Sequence, residues 1–324
     1  MAQQAISVVR SEFGGALTPE VAAWLMLTEG ILSLYSGSAD MGIARMKGAY
    51  AIATAMKNCV ARPTCAAWMA LHSLNTRRFD EMSSFLVESL QFADAEDHQA
   101  RARASLVLAD GFHFGGRFDL GRAWYDKARH HASKEGDESA LSAMLHNIAA
   151  FRTSNLKLAD ALGAELVDEA RHVSMEAASA AAYDRAIGTK SFDQFIPHVT
   201  AQVHMLEKRY EEAMIVLAKI DVAGLPPRVH AVHYADLATC SLHLGRSNQI
   251  DELIQFAERS LAAQMDGDDI VYVNCRLASI HSAMGNHSLA AKSLARAKEE
   301  ATSFKAVQAD LVSKLICVAE TASI

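Results

Sequence analysis

Fourteen of the 324 residues are histidine. The spacing that invites chemistry first is His230, His233 and Asp236. On a helix these stand one turn apart on a shared face, where two imidazoles and a carboxylate make a plausible transition-metal set. No HExxH accompanies them, and the preferred reading is a row of polar positions on a helix that lines a groove. His130 and His131 are adjacent, so they face different ways, and they precede Ser133–Gly136. That position suits stabilisation of a helix C-terminus. The run GGRFDLG (Gly115–Gly121) is neither GxGxxG nor GxxxxGK[ST]. It follows a helical stretch rather than a strand, which argues against a phosphate cradle. No Gly-x-Ser-x-Gly elbow is present. Cys59, Cys65, Cys240, Cys275 and Cys317 form no CxxC and no paired framework. This is the usage of reduced thiols, and Cys59 and Cys65 read as buried and inert. The carboxylates of KRYEEA and ARAKEE read as solvated, charge-paired helix faces. Met26, Met144 and Met205 fall on the first helices of hairpins, with core filling as the default and an adaptable binding surface as the alternative. The expectation is therefore no catalytic residue, no metal and no cofactor.

The elements that would position such groups are helices. Hydrophobic residues make up 51% of the chain, aromatics 7%, and there are 5 prolines. Alanine and leucine favour helix, and clusters of β-branched and aromatic residues are few. The net charge of −7 argues against a nucleic-acid arm, which needs a basic stripe. The N-terminus MAQQAISVVRSEFGG does not read as a signal peptide, lacking a basic n-region followed by a long apolar run, and no apolar run approaches the roughly 18 residues of a membrane span. A soluble cytoplasmic protein is expected, with no membrane contact.

Punctuation recurs along the chain. Gly37, Arg77, Gly116, Ser154, Lys208, Gly245 and Gly285 each separate two helix-like stretches, at intervals of 40, 39, 38, 54, 37 and 40 residues. Such a period means stacked helical hairpins. Thr18 caps the first helix, with Pro19 in its first turn. Small residues at Gly30, Gly42, Ala49 and Gly121 mark close helix crossings. The 54-residue interval holds an irregular joint near 167–192, with an extended helix and a turn at Gly188–Ser191. Gly224–Pro227 (GLPP) is a second break. The expected organisation is an N-terminal segment at 1–18, a hairpin array at 19–301 and a capping helix at 302–324, centred on Phe304–Ala319.

The third unit, ASLVLADGFHFGGRFDLGRAWYDKARHHA, carries Ala109, Gly116, Phe118, Gly121, Tyr125 and Ala128 in order. The same layout recurs around Tyr210, Ala213 and Leu217, around Ala238, Gly245, Ile254 and Ala257, and around Ala278, Gly285, Ala290, Leu294 and Ala297. This series resembles the tetratricopeptide repeat, over roughly Pro19 to Ala301, in about seven units longer than the family's usual length of about 34 residues. The lengthened units resemble the sensor and interaction regions of bacterial regulators. The resemblance implies an all-α, right-handed superhelical solenoid of antiparallel hairpins with a C-terminal capping helix.

It also implies that the first helix of each hairpin lines a concave groove. In that register the groove presents Arg103, Asp110 and His113, then Arg152, then His198 and Gln202, then Asp236, Thr239 and His243, and finally Arg276. Trp68, Leu71, Phe151 and Met205 supply an apolar floor between them. Such a mixture suits an extended or helical peptide. The first unit shows Trp24, Leu27, Thr28 and Ile31 where a chaperone-type carboxylate clamp needs Lys, Asn and Arg. The expected function is a non-enzymatic scaffold binding a protein or peptide segment, with homodimerisation open to it. The alternatives are a sensory or regulatory arm whose output domain is not in this chain, and a helical metal-dependent enzyme.

Overall fold

The structure is a computed structural model that describes residues 2–13, 17–35, 38–57, 59–164, 167–188, 196–261 and 265–321. Among the described residues there are fifteen α-helices, three 3₁₀ turns and no strand. None of these helices is long and apolar enough to cross a membrane. The chain divides into two compact units, Met1–Leu141 with Gln308–Ile324, and Ser142–Val307.

The first unit contains α1 (Ala2–Phe13), α2 (Pro19–Tyr35), α3 (Ala39–Ala55), α4 (Ala61–Asn75), α5 (Phe79–Phe92), α6 (His98–Phe114) and α7 (Phe118–Glu135). The helices pack as antiparallel neighbours, α2 on α3, α4 on α5 and α6 on α7, with α4 also against α6. Thr18 caps α2 as expected, its Oγ1 accepting from the Val21 amide at 3.3 Å. Gly30 and Gly42 let α2 and α3 touch by backbone. A Cβ on Gly42 would stand 2.7 Å from the Gly30 carbonyl oxygen and 2.8 Å from the Leu34 nitrogen. Around that contact Ala23, Leu27, Met46, Ala49, Ala53 and Trp68 close the core. The last turns of α15 (His287–Thr321) complete this unit, with Leu315 against Gly111 and Val312 against Gly115. Gln308 donates to the Phe114 carbonyl at 2.6 Å. The helix α15 runs unbroken through residues 301 and 302, because no glycine or proline interrupts it there.

The hairpin turns share one chemistry. Arg77 (φ 56°), Gly116 (φ 75°), Lys208 (φ 60°), Gly245 (φ 67°) and Gly285 (φ 77°) are left-handed. After each, the next amide reaches back over the helix end: Arg78 to Ser73, Arg117 to Phe112, Arg209 to His204, Arg246 to Ser241 and Asn286 to His281, at 2.8 to 2.9 Å. This is the Schellman closure, which satisfies carbonyls that a helix end leaves unpaired. The turn expected at Gly37 lies outside the described residues, as do residues 189–191 of the turn expected at Gly188–Ser191, while Gly188 itself is left-handed (φ 72°).

Ser154 is not a turn. It sits inside α8 (Glu138–Ala161), and the chain reverses at Gly163 (φ 95°), where the Ala164 amide bonds the Ala159 carbonyl at 3.0 Å. Serine is tolerated within a helix, whereas glycine at positive φ ends one without strain. The second unit continues with α9 (Val167–Ile187), α10 (Ile196–Leu206), α11 (Tyr210–Leu217), α12 (His230–His243), α13 (Ile250–Ser260) and α14 (Gly267–Ala283). The GLPP break becomes two 3₁₀ turns, Val222–Gly224 and Pro227–Val229. Within the unit α10 packs on α9, α11 and α12, and α12 packs on α13 and α14. A core of Ala231, Ala235, Ile250, Ile254, Tyr272 and Ile280 lies between α12, α13 and α14, and receives Leu158 and Ala161 from α8.

Candidate functional site

The extension of α8 past Ser154 brings its last two turns onto α14. Ser154 Oγ donates to Asp268 Oδ2 at 2.8 Å, and Lys157 Nζ pairs with Asp269 Oδ1 at 2.7 Å. Arg276 pairs with Asp160 Oδ2 at 2.7 Å, and Lys208 pairs with the other oxygen of Asp160. These partners are separated by 48 to 116 positions in sequence. Leu158 and Ala161 fill the apolar side of the seam against Val271, Cys275 and Ala297.

Three of the expected groove residues meet in this cluster. Asp236 is fully buried. It accepts from the Tyr272 hydroxyl at 2.5 Å and from Gln202 Nε2 at 3.4 Å. Arg276 and Lys157 both lie over the Tyr272 ring, at 5.0 and 4.9 Å from its centroid. Burial pushes the Asp236 carboxyl up, against the Tyr272 hydrogen bond and the Lys157 charge. Burial by itself would lower Lys157, but Asp269 and Asp268 outweigh it and the ammonium is held. Burial, then the neighbouring Asp269, raises Asp268 to about 6.

His198 joins the margin of this cluster, its ring 5.3 Å from that of His233 in an edge-to-face contact. Burial, with Lys157 acting on His198 and His198 on His233, lowers both to about 4. Both rings are therefore neutral at physiological pH. Among the described residues His198 Nε2, His233 Nδ1, Asp268 Oδ1 and Arg276 Nε find no hydrogen-bond partner. The spacing that suggested a metal set is dispersed, since His230 bonds the Leu225 carbonyl at 3.1 Å and Asp236 is held by Tyr272 and Gln202. Among the described residues no group of three or more His, Cys, Asp or Glu side chains is placed to hold a metal ion.

The other groove residues serve their own hairpins. Thr239 donates to the Ala235 carbonyl at 2.8 Å, and His243 stacks on Tyr210 with centroids 4.0 Å apart. Arg152 pairs with Glu176 of α9. In the first unit Arg103 lies over the Trp68 ring at 4.0 Å, Tyr125 donates to Asp110, and His113 fills the space beside Gly121. His131 lies against His98, with ring centroids 5.2 Å apart. Its Nδ1 stands 2.9 Å from Nδ1 of His98, and burial, then the charge of His98, lowers its pKa. The first unit also holds an open cleft of about 590 Å³ between α5 and α15, lined by Val87, Phe92, Lys314, Cys317 and Val318 among others. Its cations are already paired, Arg62 with Glu88 at 2.6 Å and Lys314 with Asp80 and Asp310 at 3.2 and 2.6 Å.

Sequence reasoning missed Lys157, Asp160, Asp268 and Tyr272. The one local signal for them was the absence of a strong helix breaker between Glu138 and Gly163. Compared with protein-family models and with curated proteins, the sequence finds no match. Function is accordingly read from the geometry.

Proposed function

We propose that the chain is a non-enzymatic binding scaffold whose hairpins, about seven in all, stack in the right-handed manner of the tetratricopeptide repeat. Its binding surface is the face that α10, α12 and α14 share in the second unit, and its ligand is a helical segment of another protein. The shared Schellman turns and the side-by-side packing of α10, α12 and α14 support the repeat reading. One observation carries the functional reading. The segment of α8 from Ser154 to Ala161 lies on this face as a helix, held by a hydroxyl, two ion pairs and two apolar side chains. A surface that takes one helix through mixed polar and apolar contacts has the chemistry of helix-in-groove recognition.

The test is selection of a displayed peptide library on the native chain, followed by titration of the enriched peptides against Gln202→Ala and Asp269→Asn. We expect enriched peptides with helical periodicity, and at least a tenfold loss of affinity in the variants with unchanged circular dichroism. Enrichment of nothing, or peptides that bind both variants undiminished, removes the proposal.

A further inference from the structure

We infer that the α8 segment from Ser154 to Ala161 is a displaceable internal ligand, and that the face beneath it fits an amphipathic helix carrying a cation followed three residues later by a carboxylate. The inference rests on the binding reading above and adds both the regulation of the face and the chemistry of its partner.

Two features of the seam point this way. Its strongest contacts are ionic. Lys157 with Asp269 and Asp160 with Arg276 are largely withdrawn from water, with side-chain exposures of 8, 20, 6 and 12%. Such pairs gain little net stability, because their attraction is largely offset by lost hydration that release restores. The face is also incompletely served by its occupant. Asp268 Oδ1 and Arg276 Nε lie under α8, with His198 Nε2 and His233 Nδ1 at the margin of the cluster, and among the described residues none of these buried atoms has a hydrogen-bond partner. A helix that reproduces the Lys157–Asp160 pair and adds a donor for Asp268 and an acceptor for Arg276 satisfies more of the face than α8 does. Leaving such groups unpaired is the expensive case, so a better-matched helix has free energy available to displace α8.

Cys275 gives the opening a reporter. It is buried beneath Leu158 and Ala161 on one side and Ala297 and Ala301 on the other. Cys317 is the exposed thiol and is replaced by serine in the background chain. Thiol labelling followed by mass spectrometry then reads Cys275 in the full-length protein. Lys157→Ala/Asp160→Ala is compared with the parent, together with binding of a fluorescent peptide of residues 150–163. We expect Cys275 to label at least tenfold faster in the double variant, and the peptide to bind it at least tenfold more tightly than it binds the parent.

The outcomes separate the two ideas. Unchanged Cys275 labelling makes α8 a fixed part of the core and overturns the inference. Faster labelling without peptide binding leaves α8 movable but overturns the helix-docking reading of the face. Where the double variant does not fold, native-state hydrogen exchange on the parent decides. Amides of residues 154–161 exchanging at least tenfold faster than those of α12 support displacement, and equal protection of the two overturns it.

Discussion

Tyr272→Phe removes a single oxygen and tests whether Asp236 is the polar centre of the second unit. Both residues are at most 1% exposed. The carboxylate has two hydrogen-bond donors, and the Tyr272 hydroxyl at 2.5 Å is much the closer, with Gln202 at 3.4 Å. A hydrogen bond to a charged group contributes about 1.5–3 kcal/mol, and stranding a buried acceptor sits at the upper end of that range. Phenylalanine retains the ring under Lys157 and Arg276, so the loss is confined to the hydroxyl. The expected destabilisation is about 2–3 kcal/mol, which for a unit of this size lowers Tm by roughly 2–4 °C per kcal/mol. Far-UV circular dichroism is the readout, because Trp24, Trp68 and Trp124 all belong to the first unit. The sign with pH follows from the raised pKa of Asp236. Protonation of this carboxyl favours the folded state, and that contribution disappears as pH rises through the raised value. The Tyr272→Phe defect therefore shrinks on acidification, as the stranded charge is neutralised. A double-mutant cycle with Asp236→Asn isolates the pair, with an expected coupling above about 1 kcal/mol. A loss below about 0.5 kcal/mol at neutral pH, within the range of ordinary surface substitutions, refutes the assignment.

Other consequences are as specific. His198 and His233 have folded pKa values lowered from 6.5 to about 4, so the stability they contribute is complete above pH 6.5 and is lost as pH falls toward 4. The shift corresponds to on the order of 3 kcal/mol for each ring. Asp268, raised to about 6, acts in the opposite sense and offsets part of this, so the double variant His198→Phe/His233→Phe should flatten the acid limb of a urea-midpoint profile. Gly42→Ala forces its Cβ onto the Gly30 carbonyl and should cost about 1–3 kcal/mol by overpacking, measured by urea unfolding. Leu315→Ala empties a fully buried site beside Gly111. It should cost about 2–5 kcal/mol, read by tryptophan fluorescence of the first unit. Arg77→Gly relieves a left-handed non-glycine residue and should raise stability by up to about 1 kcal/mol in thermal denaturation.

The turns were legible in the sequence wherever backbone chemistry is local. Gly116, Gly245 and Gly285 announce a left-handed residue by type, and Arg77 and Lys208 were found because the period demanded a break there. Ser154 failed the same test. Its side chain bonds Asp268, 114 positions away, and no local pattern distinguishes that from a polar turn. The continuity of α15 was missed for a related reason. EEATSF contains polar residues but no breaker, and what holds the helix onward is Leu311, Leu315 and Val318 in the core of the first unit. Helical register was enough to bring Gln202, Asp236 and Arg276 to one face. It could not supply Lys157 and Asp160, because the length of α8, set by Gly163, decides whether they reach α14. It also gave no sign that Arg103, Asp110 and His113 are engaged by Trp68, Tyr125 and Gly121 inside their own neighbourhood.

The most direct measurement is hydrogen exchange on the native chain with and without a saturating library-selected helical peptide. Docking on the α10–α12–α14 face predicts that residues 154–161 lose protection while α12 and α14 keep or gain it. A bound peptide that leaves residues 154–161 as protected as before, or that alters only α5 and α15, contradicts the account.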